Sequence, residues 1–217
     1  SASRPASVLL VGPSGVGKTA VVGELTRRQA TTPLAQQSVW TTDGSRLIAG
    51  MLGFGMWQQR CQELCRECAR QQAILHVGSL VELMEVGRSE GQSQGIASFL
   101  RPYIARGDLL VIAECTVEQV SWIERTSPQL LAAFHRIDIS EPAPKVELRI
   151  LQDVLDSRKQ GAPTLGADGV QQLVDLHRRY ATYSASPGRP LTFLHNLLAD
   201  CGDSADGSAL TPQDVTK

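Results

Sequence analysis

The chain is 217 residues long, with 42% hydrophobic and 20% charged residues and a formal net charge of -1. That composition is ordinary for a globular protein, and the near-neutral balance gives no electrostatic case for a nucleic-acid partner. No apolar run approaches the roughly 18 residues a membrane helix needs. No signal pattern opens the chain, and five cysteines, an odd number, then read as a reducing cytoplasm.

Residues 1–6 read as a linker. Ser7-Val-Leu-Leu-Val11 is a short buried strand. It runs into Gly12-Pro-Ser-Gly-Val-Gly-Lys18-Thr19, which fits G-x-x-x-x-G-K-[ST], the phosphate-binding loop. Ala20 to Arg28 continues as a helix, so the motif stands in the strand–loop–helix context it requires. The glycines let the backbone wrap with its N–H groups turned inward on an anion, and the helix N-terminus adds partial positive charge. Lys18 then reaches the β- and γ-phosphates, and Thr19 sets a hydroxyl on Mg²⁺. The candidate nucleotide-binding residues are therefore Gly12, Pro13, Ser14, Gly15, Val16, Gly17, Lys18, Thr19 and Ala20, with Thr19 the metal ligand and ATP or ADP with Mg²⁺ the expected ligands.

Further along, Ser38–Thr42 is a second strand and Arg46–Gly50 a short helical piece, followed by the glycine-rich Gly50-Met-Leu-Gly-Phe-Gly55. A helix over Met56–Gln72 leads to an apolar strand, Ala73–Val77. Leu80–Val86 is a short helix, Gly87–Gly91 a loop, and Ile96–Ala105 a helix closed by Arg106-Gly107-Asp108. Leu109–Ala113 is the fourth strand, Val117–Arg125 a helix, and Phe134–Ile139 a fifth strand of alternating character. Strands alternating with helices imply a mostly parallel five-stranded sheet covered on both faces, an α/β fold of three αβα layers. Ser140-Glu-Pro-Ala-Pro144 breaks the composition; beyond it Lys145–Lys159, Ala167–Tyr180 and Pro190–Leu198 are helical and suit a small lid. The expected domains are 1–141 for the nucleotide, 142–201 for the lid, and a flexible tail over 202–217. Thr211-Pro-Gln-Asp214 reads as a helix start, and both chain ends read as cuts from a longer protein whose other domains are expected partners.

The layout resembles the AAA+ P-loop ATPases, and within them the first ATPase module of Clp-type protein unfoldases, from Ser7 to about Leu198. Beside the P-loop the resemblance rests on Gly87-Arg-Ser-Glu-Gly91, Leu100-Arg-Pro-Tyr-Ile-Ala-Arg-Gly107, Phe134 and Glu141-Pro142. The family's helix before the P-loop strand, which packs on the adenine, is missing here and reads as trimmed.

Set against the family pattern, the third strand should end in Asp-Glu, the Asp holding Mg²⁺ through water and the Glu polarising the attacking water. Here Gly78-Ser79 follow Val77. A pair of arginines that reach a neighbouring subunit's γ-phosphate is replaced by Ala132-Ala133 before Phe134. Thr116 matches the polar sensor at the end of the fourth strand, and Arg189 the lid's nucleotide-facing basic residue. Phe54 stands one residue off the aromatic position of the substrate-gripping pore loop. The resemblance thus implies a nucleotide partner, AAA+ ring neighbours and a protein substrate, but the selective losses imply weak or absent hydrolysis and a regulatory or assembly role. An active Clp-like ATPase is the alternative, a small P-loop phosphotransferase a second, and a purely structural module a third.

Glu114 is the candidate to replace a lost carboxylate, since it stands at the C-terminal end of a strand next to the P-loop, where α/β ligands bind; a hydrogen-bonded structural glutamate is the competing reading. Cys61-x3-Cys65-x2-Cys68 matches an iron–sulfur triad in spacing, but i, i+4, i+7 is one face of a helix, so buried apolar thiols are expected. His76 reads as a packed core histidine. His135, His177 and His195 lack metal spacing. Trp57 and Trp122 read as packing residues, and Arg178-Arg179 as a solvated helix face.

Overall fold

A computed structural model describes residues 5–50, 56–87, 95–157, 165–180 and 184–202. These fall into two compact units, residues 5–12 with 18–139, and residues 13–17 with 140–202. The pore-loop positions 51–55, the loop 88–94 and the tail beyond 202 lie outside the described residues.

In the first unit β1 (Ser7–Val11), β2 (Val39–Thr41), β3 (Ile74–Ser79), β4 (Leu110–Cys115) and β5 (Phe134–Asp138) form one sheet in the order β2-β3-β4-β1-β5. Every pairing is parallel, as the alternation of strands and helices predicts. Period-two alternation divides the central strands between two faces. Leu9, Val11, Leu75, Val77, Val111 and Ala113 point to one core. There they meet α3 (Met56–Gln71), α4 (Leu80–Glu85), α5 (Ile96–Arg106), α6 (Val117–Thr126) and α7 (Pro128–Leu131). Leu10, Ile74 and Ile112 point to the opposite face, against Val22 of α1 (Lys18–Arg28). Cys61, Cys65 and Cys68 are buried, free thiols on the inner face of α3. Trp57 packs edge-to-face on Phe99, with ring centroids 5.7 Å apart, and Trp122 lies against the same core.

Several boundaries differ from the sequence reading. α2 (Gly44–Ile48) starts two residues earlier than Arg46 because Asp43 caps it, accepting from the Arg46 N–H at 2.8 Å. α7 was unforeseen; it is one turn, opened by Pro128 at its first position. β3 runs past Val77 to Ser79, across a register irregularity between His76 and Ser79. β5 does not alternate in burial: His135 to Asp138 are all exposed, on a strand that among the described residues pairs with β1 alone.

The second unit has its own core. α8 (Pro144–Asp156), α9 (Ala167–Tyr180) and α10 (Gly188–Gly202) bury Leu151 and Leu155, Val170, Leu173 and Val174, and Leu194 and Leu198. Each set repeats at three or four residues, the stripe of an amphipathic helix. Arg178 and Arg179 are both exposed, as expected of a solvated face, and Nη2 of Arg178 in addition donates to Oε2 of the buried Glu147 at 2.8 Å.

Candidate functional site

β1 delivers the chain to the loop, and the Gly12 N–H closes the strand end by donating to the Cys115 carbonyl at 3.1 Å. Lys18 opens α1 and donates from Nζ to the Gly12 carbonyl at 2.8 Å. Thr19, one residue on, donates from Oγ1 to Oε2 of Glu114 at 3.0 Å.

Glu114 is set there by strand parity. It shares a face with Leu110 and Ile112 of β4, the face that α1 covers, and His76 shares that face with Ile74 of β3. His76 Nε2 lies 3.0 Å from Glu114 Oε1. His76 is buried, as expected of a core histidine, but it is a hydrogen-bonded partner rather than packing alone. A carboxylate can only accept, so Nε2 carries the hydrogen. Burial pushes the Glu114 carboxyl up, but hydrogen bonds from His76 and Thr19, with the charges of His76 and Lys18, outweigh it and hold Glu114 below the usual carboxylate range. Of the two readings of Glu114, the geometry shows the hydrogen-bonded glutamate, with one of its bonds made to the P-loop threonine.

The neighbouring strand end offers no carboxylate. Gly78 sits at φ +63°, in the left-handed region that favours glycine. Ser79 caps α4, its hydroxyl accepting from the Glu82 N–H at 3.3 Å. Thr116 is engaged in a capping box: its hydroxyl accepts from the Gln119 N–H, and the Gln119 side chain accepts from the Thr116 N–H at 2.8 Å. Ala132 caps α7 and is exposed; Ala133 is partly buried against the core.

Residues 13–17 of the loop belong to the second unit and are fastened within it. The Val16 N–H donates to the Pro13 carbonyl at 3.3 Å; the Ser14 carbonyl accepts from the Ala185 N–H at 2.8 Å and from Ser184 Oγ at 3.2 Å. The Gly188 N–H donates to the Gly15 carbonyl at 2.9 Å, and a Cβ on Gly15 would stand 2.5 Å from Ser184 Oγ. Pro13, Ser14, Glu141, Arg178, Ser184, Ala185 and Arg189 line an open cleft of about 360 Å³ in this unit. Nε of Arg189 is buried without a hydrogen-bond partner. Arg189 also lines an adjoining cleft of about 180 Å³ with His177 and Phe193. Burial and the Arg189 charge push the His177 imidazole below its ordinary pKa, against a smaller opposing pull from Glu147.

The donor set beside α1 fits a hard cation with a phosphate ligand: a hydroxyl with its hydrogen turned away, a charged carboxylate and an amine. The His76–Glu114 contact is what sequence reading missed. Its available signal was parity, since both residues stand on the α1 face two positions beyond buried aliphatics.

No family profile matches the chain. It is 26% identical over 197 residues to the chaperone protein ClpB of Aquifex aeolicus, covering 88% of this chain and 20% of that one. It is 27% identical over 204 residues to the ATP-dependent Clp protease ATP-binding subunit ClpE of Bacillus subtilis, covering 91% and 28%. The chain thus spans less than a third of the length of these relatives. Among solved structures it superposes on closed-state Hsp104 with ATPγS and casein at a TM-score of 0.84 and 20% identity, over 97% of this chain and 37% of the other. No helix among the described residues is long and apolar enough to cross a membrane. The chain is homologous to the Clp-type ATPases and has the AAA+ fold.

Proposed function

We propose that this chain is the ATP-binding AAA+ module of a larger protein, with weak or absent hydrolysis and a regulatory or assembly role. Residues 1–141 form its nucleotide domain, 142–201 its lid and 202–217 a tail, and its free buried cysteines suit a reducing cytoplasm. Gly12 to Ala20 bind the phosphates, Thr19 holds the metal, and Thr116 and Arg189 stand at the sensor and lid positions. Ring neighbours and a protein substrate are its partner classes, by analogy with the casein-bound Hsp104 it resembles.

One observation carries the reading: β3 ends in Gly78, without a side chain, and Ser79, whose hydroxyl is spent on α4. Backbone N–H groups and Lys18 suffice to bind phosphates, whereas hydrolysis also needs a carboxylate to orient water and a cation for the developing charge. Mg²⁺, where bound, would be held by Thr19 and would neutralise phosphate charge. Ala132 and Ala133 offer no cation, and a missing trans arginine costs on the order of 10³–10⁵ in rate.

The active Clp-like ATPase keeps one supporting observation, the Glu114–Thr19 bond. It suits a base poorly, because both Glu114 oxygens already accept hydrogen bonds and its pKa is held low, whereas an effective base titrates near the working pH. Calorimetry with ATP on wild type and Lys18→Ala, paired with a phosphate-release assay, tests the proposal. Binding that Lys18→Ala abolishes, with turnover at background, supports it. Equal affinities sink the site, and turnover near one per second lost in Glu114→Gln makes Glu114 the base.

A further inference from the structure

We propose that Glu114, held by His76, is the carboxylate that orients the metal ion of the bound nucleotide, supplying from β4 what the resembled family supplies from the end of β3. The inference rests on reading the site as a Mg²⁺–nucleotide site and assigns a metal-side residue within it.

The argument starts at the Thr19 hydroxyl. An alcohol that ligates a metal must turn a lone pair to the ion and dispose of its hydrogen elsewhere. Thr19 Oγ1 gives that hydrogen to Glu114 Oε2 at 3.0 Å, which leaves its lone pairs directed away from the carboxylate. Glu114 then needs its own orientation fixed, because a partly buried glutamate on a strand end has three free torsions. His76 fixes it, donating from Nε2 to Oε1 at 3.0 Å from the adjacent strand. His76 itself has no freedom to wander: it is buried among the apolar residues of β3 and β4. A carboxylate has about four lone-pair sites, so Oε2 retains one for a metal-bound water after bonding Thr19.

The register shows why β4 can supply this group and β3 does not. The irregularity between His76 and Ser79 puts the left-handed Gly78 at the strand end and pairs Ser79, not His76, with Glu114. Thus β3 contributes the holder and β4 the carboxylate. His76 is a positioning residue, since its contact is to Glu114 and not to the phosphate loop.

The test is calorimetric titration of the full chain with ADP, in excess Mg²⁺ and in excess EDTA, which isolates the gain in affinity due to the metal and needs no turnover. Loss of an outer partner of a metal ligand typically costs about 10–100-fold in metal affinity. Wild type should therefore gain at least about tenfold from Mg²⁺, and Glu114→Gln, nearly isosteric but uncharged, should gain about twofold or less, with an EDTA affinity no weaker than that of wild type, since it removes a negative charge beside the phosphates. His76→Phe should lose most of the gain, and His76→Gln, whose amide can donate at the same place, should restore part of it. A full Mg²⁺ gain in Glu114→Gln overturns the inference, as does a loss of equal size in both media, which marks a purely structural role. Wild type that binds ADP in neither medium overturns the nucleotide reading itself, and this inference with it.

Discussion

Gly188 and Gly15 meet backbone to backbone: the Gly188 N–H donates to the Gly15 carbonyl, and a Cβ on Gly188 would stand 2.6 Å from that oxygen. No side chain fits, so α10 starts against the phosphate-binding loop only because both positions are glycine. Gly188→Ala should push the loop aside, costing about 1–3 kcal/mol as overpacking does, and should weaken ADP binding with it. Urea unfolding and calorimetry check this together; wild-type values in both would mean that the contact is dispensable.

Arg178 should matter where Arg179 does not. Removing the Arg178 guanidinium strips a buried glutamate, Glu147, of its charged partner, and an unsatisfied buried group costs about 1–3 kcal/mol. Half of the Arg178 side chain is in water, which places the expectation for Arg178→Ala at the lower end of that range. Arg179→Ala should stay within about 0.5 kcal/mol, as exposed substitutions do. Matched urea midpoints for the two variants would contradict this.

The four buried thiols among the described residues should be inert in the folded protein. Burial above all pushes Cys61, Cys68 and Cys115 up to about 11, and burial with neighbouring charges pushes Cys65 to about 12, from an ordinary 9.0. The folded state thus favours the neutral thiol. The stability this contributes is complete below pH 9.0 and is lost as pH rises through about 11 to 12. Iodoacetamide at pH 8, followed by peptide mass spectrometry, should leave these four unmodified until denaturant is added. Rapid native labelling of any of them would refute it, as would a urea midpoint that does not fall between pH 9 and 11.

Reinstating an acidic pair should not reinstate turnover. Gly78→Asp places a side chain at φ +63°, and Ser79→Glu removes the cap of α4. Lost caps cost about 1 kcal/mol, so the double variant should be less stable by at least that. Its phosphate release should stay near background because Ala132 and Ala133 remain. A rate approaching one per second in the double variant would show that the arginines are not required.

Much of this architecture could be read before the fold was known. Ser7–Val11, the glycines and Lys18 announce a strand–loop–helix unit locally, and Leu151, Leu155, Leu173 and Leu194 announce amphipathic helices by spacing alone. What stayed hidden depends on register. His76 and Glu114 lie 38 residues apart, and their meeting requires β3 and β4 to be adjacent and offset by the irregularity after His76. Thr116 was legible as polar and well placed, but not as a helix cap, because its partner Gln119 looks like any surface residue until the helix start is fixed. The ion pair of Arg178 was hidden for a similar reason: its partner Glu147 lies 31 residues earlier on another helix.

The sheet's borders carry a consequence for behaviour at high concentration. A border strand exposes unpaired backbone groups that can recruit a strand from another copy. Here β2 is only three residues long, too short to template a stable ladder. On the opposite border β5 carries Arg136 bonded to Asp138 at 2.7 Å, both exposed. A second chain adding to β5 would have to strip water from that ion pair to gain its ladder bonds, so both borders discourage the edge-to-edge association that leads toward fibrils.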